Sequence, residues 1–140
     1  MDQRILVPFD KSDPSTTALD RALEQHPDAE ITVLHVLELD ELTYGVGGAT
    51  AAENIKDVRK EEAEELFNEA QEHADSYGVT LSTAIETGQP GETIVGYAEE
   101  NDVDNVIMGS HGRSGLSGIL VGSVAETVIQ NSPVTVTIAR

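Results

Sequence analysis

The sequence predicts an α/β fold: one open, doubly wound, five-stranded, mostly parallel sheet with helices on both faces. Three observations predict it. Short apolar runs rich in branched residues alternate along the chain with segments of helical spacing. Punctuating residues stand at the junctions, with Pro14 and Pro90 placed to open helices and Gly78 to close one. The chain has 140 residues, 39% of them hydrophobic, which fills one core and not two. Residues 1–140 therefore read as a single domain.

The first run, Gln3 to Phe9 (QRILVPF), is a strand, and Asp10-Lys11-Ser12-Asp13-Pro14 follows it. Asp13 is the expected cap of a helix whose first position is Pro14, and Ala18, Leu19, Ala22 and Leu23 then share one face. That helix should stop near His26-Pro27. Ile31 to Leu37 (ITVLHVL) has the branched composition of a strand buried on both sides. Leu39 to Ala52 reads as a loop carrying Gly45, Gly47 and Gly48. From about Glu53 a long helix sets Val58, Leu66, Ala70, Ala74 and Tyr77 at helical spacing, with Gly78 as its stop.

The second half repeats the rhythm. Val79 to Ile85 is a strand, and Gly88-Gln89-Pro90 turns the chain into a helix bearing Ile94, Val95 and Ala98. Asn105 to Met108 (NVIM) is the next strand, followed by a glycine-rich stretch from Gly109 to Gly122. Ser123 opens a helix through about Gln130, and Val134 to Ala139 (VTVTIA) closes the sheet. Five strands alternating with four helices imply right-handed crossovers.

Charge is the most unusual bulk property: 26 acidic against 8 basic residues, a formal net charge of −18. Such a surface repels nucleic acid and anionic membranes, so neither is an expected partner. The carboxylates are spread along the chain rather than gathered into an acidic tail. They suit a protein working in molar salt, where the Debye length falls to about 3 Å, and so point to a halophilic archaeal source. There is no cysteine, which removes disulfides and thiol chemistry. No stretch approaches the roughly 18 apolar residues of a membrane span, and no signal sequence is evident, so a cytoplasmic protein is expected.

In a sheet of this kind ligands sit beyond the carboxyl ends of the strands, where strand order reverses. The loops after Phe9, Leu37 and Met108 are therefore the places for a site. Around the last of these, Gly109-Ser110-His111-Gly112 and Gly122-Ser123-Val124 supply glycines that admit a ligand to the main chain, and the start of a helix. Successive amides and a helix N-terminus together cradle phosphate without a lysine.

Gly109, Gly112, Gly122 and Ser123 match the G-x2-G-x9-G-[S/T] signature of ATP-binding universal stress proteins without gap or mismatch. Ile5 to Asp10 resembles that family's opening strand with its acidic residue. His35-Val36 resembles the end of its second strand, and Gly88-Gln89-Pro90 its turn into the third helix. The similarity covers the whole chain. It implies a Rossmann-like sheet of strand order 3-2-1-4-5. It places Asp10 near adenosine and ribose, Val36 against adenine, Gly109 and Gly112 around the triphosphate, and Gly122, Ser123 and Val124 at the phosphates. Pro8, Phe9, Met108 and Ser110 adjoin these positions, and His111 and Arg113 flank the loop. The cofactors implied are ATP with Mg²⁺ or Mn²⁺ held mainly by phosphate oxygens, with no protein metal ligand. Lys11 departs from the family's small residue after the aspartate.

Each position also has a structural reading. Asp10 can cap the turn after the first strand, Val36 is a core residue in either case, and Ser123 can be a plain helix cap. His111 can be solvated, as can the acidic face holding Glu61, Glu62, Glu64 and Glu65. No Gly-Lys pair of a Walker motif occurs. Gly112-Arg113-Ser114-Gly115 fails as a nucleophile elbow because Leu116 stands where glycine is required. Three functions stay open: a nucleotide-binding stress-response regulator, a slow ATPase or nucleotide-using transferase, and an ATP-independent dimeric interaction protein. The terminal strand Val134–Ala139 would lie at a sheet edge, and a twofold homodimer through it is similar to what the family forms.

Overall fold

The computed structural model describes residues 3–38, 49–110 and 122–140, with side chains of the long helix described from residue 59 onward. Among these residues the order is β1 (Arg4–Pro8), α1 (Asp13–Gln25), β2 (Glu30–Leu37), α2 (Ala49–Asp75), β3 (Ser82–Thr87), α3 (Pro90–Glu100), β4 (Asn105–Gly109), α4 (Ser123–Asn131) and β5 (Thr135–Ala139). The strands form one sheet in the order β3-β2-β1-β4-β5, with every adjacent pair parallel. The chain lays down β1, β2 and β3 outward in one direction and then returns to the other side of β1 for β4. The topological switch point thus falls between β1 and β4.

Two apolar layers hold the helices to the sheet. On one face Ile5, Val7, Ile31, Val33 and Ile107 meet Ala18, Leu19, Ala22 and Leu23 of α1 and Leu66, Ala70 and Ala74 of α2. On the other, Leu6, Leu34, Val106 and Met108 meet Ile94 and Ala98 of α3 and Ala125 and Val128 of α4. The alternation along β1, with Ile5 and Val7 on one face and Leu6 on the other, is the period of two that a pleated strand dictates. Gly91 lets α3 and α4 approach, because a Cβ there would stand 2.6 Å from Thr127 Cγ2.

Several element boundaries differ from the sequence reading, each for a local physical reason. The cap of α1 is Ser12, not Asp13. Ser12 has extended backbone (φ −68°, ψ 159°), and its hydroxyl accepts from the Ser15 amide, leaving Asp13 in the first turn beside the positive end of the helix. Helix α2 starts at Ala49, so residues 49–52 belong to it rather than to the preceding loop. Residues 39–48 of that loop lie outside the described residues.

At its other end α2 stops at Asp75, which takes Tyr77 off the helical face; Tyr77 is 40% exposed, and its hydroxyl donates to Glu24 of α1 at 3.2 Å. Gly78 makes the stop with φ 69°. Strand β3 then starts at Ser82, not Val79. The intervening polar main chain is held by α2 instead: Gln71 Nε2 donates to the Val79 carbonyl at 2.9 Å, and the Leu81 amide donates to Gln71 Oε1 at 3.0 Å. Gly122, rather than Ser123, is the cap of α4.

Candidate functional site

The carboxyl ends of β1, β2 and β4 come together beside the switch point, and the loop leaving β1 is built by short-range hydrogen bonds. Asp10 Oδ1 accepts from the Ser12 amide at 3.0 Å, and the Asp10 amide donates to Ser15 Oγ at 3.3 Å. Ser15, 1% exposed, also donates to the Ser12 carbonyl at 3.0 Å. Between these anchors Lys11 is forced into the left-handed region with φ 64°. This conformation costs any residue with a Cβ roughly 1 kcal/mol, a cost that glycine alone escapes. Lys11 Nζ reaches back to Glu69 of α2 at 3.4 Å.

Beyond the strand ends lie two adjoining cavities. The first, about 270 Å³, lies on the α3–α4 side. Its walls are mostly apolar: Pro8 and Phe9 from β1 and its exit, Leu34 and Val36 from β2, Met108 from β4, Ile94 from α3 and Val124 from α4. Asp10, His35, Glu38, Pro90 and Gly109 complete the lining. The second, about 420 Å³, lies against α2 and is polar. Lys11, Arg59, Glu62, Glu65 and Leu66 bound it, and it shares Asp10, His35, Val36 and Glu38 with the first. Those four shared residues form the crest between the two spaces.

The cavity thus brings together seven of the residues expected from the sequence: Pro8, Phe9, Asp10, Val36, Met108, Gly109 and Val124. Gly122 and Ser123 sit immediately before Val124 at the head of α4. Its cap residue, Gly122, has no side chain to offer the helix, and the first closing bond is from the Glu126 amide to the Gly122 carbonyl at 2.9 Å. Helix geometry leaves the amides of residues 123–125 without a carbonyl partner inside α4, beside the cavity that Val124 lines. The Ser110 amide is turned to the Ala139 carbonyl at 3.3 Å, continuing the β4–β5 ladder rather than facing the cavity. His111, Gly112 and Arg113 lie outside the described residues.

Gly109 owes its lack of a side chain to packing. A Cβ there would collide with the main-chain carbonyl of Pro14 and stand 2.6 Å from its Cβ, so β4 can pass over the start of α1 only with glycine at this point. Five lining residues were not among those expected to bind: Leu34, Glu38, Pro90, Ile94 and His35. The turn at Gly88-Gln89-Pro90 was legible, and Ile94 was visible as a helical core position; that both face the same strand ends follows only from packing. The ring Nδ1 of His35 lies 3.3 Å from the Phe9 carbonyl, tying β2 to the exit of β1.

Among the described residues no group of three or more His, Asp or Glu is arranged to hold a metal ion. No described helix is long and apolar enough to cross a membrane.

A family model described as the universal stress protein family matches residues 1–140. The chain is 35% identical over 147 residues to universal stress protein MJ0577 of Methanocaldococcus jannaschii, an alignment covering 94% of this chain and 91% of that protein. It is 34% identical to universal stress protein YxiE of Bacillus subtilis over the full length of both. Among solved structures, that of MJ0577 superposes with a TM-score of 0.81 at 33% identity, covering 99% of this chain and 96% of the other. A universal stress protein solved in complex with cAMP superposes with a TM-score of 0.73 at 26% identity, covering 99% and 97%.

Proposed function

The chain belongs to the universal stress protein family, and on that premise we propose that it is an ATP-binding regulator whose nucleotide occupancy controls its conformation or its contact with a partner. The observation that carries the reading is a mostly apolar cavity at the switch point beside a helix N-terminus whose cap residue is glycine. An adenine ring between Val36, Ile94 and Met108 leaves water for apolar walls. A 5′-phosphate chain directed toward α4 meets the amides of residues 123–125 and the partial positive charge of the helix, so the chain needs no cationic side chain to hold it. That a relative of the same fold holds cAMP supports an adenine nucleotide as the class of ligand. Mg²⁺ or Mn²⁺ would be held mainly by the nucleotide's phosphate oxygens and would supply neutralisation of their charge.

The regulatory step follows from linkage. A ligand shifts the protein toward whichever conformation it binds better, and only by its difference in affinity for the two. Gly109 lines the cavity and pairs with Ala139 of β5, so nucleotide would act next to the open edge of the sheet. The proposed twofold homodimer pairs through that edge. The proposed setting is the cytoplasm of a halophile, as a single nucleotide-binding domain.

The direct test is to purify the full chain in molar KCl, denature it, and identify released small molecules by mass. An adenine nucleotide at near one per chain is the expected result. Protein that releases none and stays empty when incubated with Mg-ATP would overturn the reading.

A further inference from the structure

The crest between the two cavities carries an acceptor that the nucleotide reading leaves unused. Phe9 O is a carbonyl oxygen and can only accept, so the His35 Nδ1 facing it at 3.3 Å carries the hydrogen. The neutral ring is therefore the Nδ1–H tautomer, and its other nitrogen, Nε2, is an acceptor. His35 lines both cavities together with Asp10, whose carboxylate accepts from the Ser12 amide. Two acceptors thus stand on one crest, on the border between an apolar space and a polar one.

Charge decides what can lie on the polar side. Asp10, Glu38, Glu62 and Glu65 bring four carboxylates to that cavity against the cations Lys11 and Arg59, and those cations are bridged to Glu69 at 3.4 Å and Glu62 at 3.2 Å. Phosphate is disfavoured there, whereas neutral O–H donors find acceptors. In a ribonucleotide the cis-diol and the 5′-phosphate leave the sugar on different sides. With the base in the apolar cavity and the phosphates toward α4, the diol falls on the crest.

We propose that His35 is a specificity-determining residue: its Nε2 accepts a hydrogen bond from one hydroxyl of a ribose diol, alongside Asp10, and so selects ribonucleotides over sugars that lack the diol. The inference rests on the nucleotide reading above. Its selectivity has the usual source, since a ligand without the hydroxyl leaves a desolvated acceptor unmatched.

The test compares the affinity of the full chain for Mg-ATP and for its 2′,3′-dideoxy analogue by titration calorimetry in molar KCl. Wild type is expected to prefer ATP by about 10-fold, the worth of a hydrogen bond lost from a half-buried acceptor that the ligand covers. Two variants separate the ring's functions. His35→Asn keeps an N–H close to the Nδ1 position for Phe9 while removing Nε2, and His35→Phe removes both. Both are expected to cut the preference by about 5-fold while leaving dideoxy-ATP affinity within about twofold. A His35→Asn variant that keeps the full wild-type preference overturns the role of His35 while leaving nucleotide binding intact. Wild type that binds neither nucleotide overturns the nucleotide reading, and this inference with it.

Discussion

At the scale of single residues, the β1–α1 loop and the end of β4 show how one position serves packing and site together. Ser12 caps α1 and Ser15 fills the space beneath the loop, so the direction of Asp10 is set by hydrogen bonds within six residues of chain. Gly109 illustrates the opposite case, where a residue with the look of a ligand contact is required by a neighbour distant in sequence. A methyl group there meets the Pro14 main chain, which cannot give way as the end of a flexible side chain would. Gly109→Ala is therefore expected to destabilise the fold by about 1–3 kcal/mol, the usual cost of overpacking. Thermal melts with and without Mg-ATP check this. The loss should be present in both, since it arises from strain and not from a lost ligand contact.

At the scale of elements, α2 and β5 carry the main departures from the sequence reading and the main open edge. Helix α2 extends back to Ala49, and its C-terminal turn uses Gln71 to satisfy main-chain groups that the sequence pattern assigned to a strand. A single glutamine thus shortens β3 by competing with β2 for hydrogen bonds. Strand β5 pairs with β4 along one side only, from Thr135 to Ala139, and its other side is an edge of the sheet. Unprotected edges of this kind template pairing with a second chain. For the proposed dimer, Val136→Pro is expected to halve the mass measured by light scattering while far-ultraviolet circular dichroism keeps its helical signal. An unchanged mass would count against pairing through β5.

At the scale of the whole molecule, a net charge of −18 dominates. The charged pairs that the structure shows are exposed, such as Arg4–Glu30 at 3.5 Å and Arg59–Glu62 at 3.2 Å, and surface pairs of this kind contribute little each. Self-repulsion among 26 carboxylates is the larger effect, and salt screens it. The melting temperature is accordingly expected to rise steadily between about 0.1 M and about 3 M KCl, measured by calorimetry. A melting temperature indifferent to salt would refute the assignment of this surface to a high-salt setting.

The class of fold and the loops that bear the candidate site were legible in the sequence, because hydrophobic period, caps and turn residues are local properties. Runs such as Ile31 to Leu37 and the spacing of Ala18, Leu19, Ala22 and Leu23 fix strand and helix before any tertiary contact exists. The glycine-and-serine spacing from Gly109 to Ser123 carried the family, and with it the expected sheet order that the structure shows. Tertiary structure decided the rest. Leu34, Ile94 and Val124 form one wall only because three parallel strand ends and two helices meet there, and no local pattern encodes that meeting. Gly109 against Pro14 and His35 against Phe9 are contacts between segments far apart in sequence, so they exist only once β1, β2 and β4 are side by side.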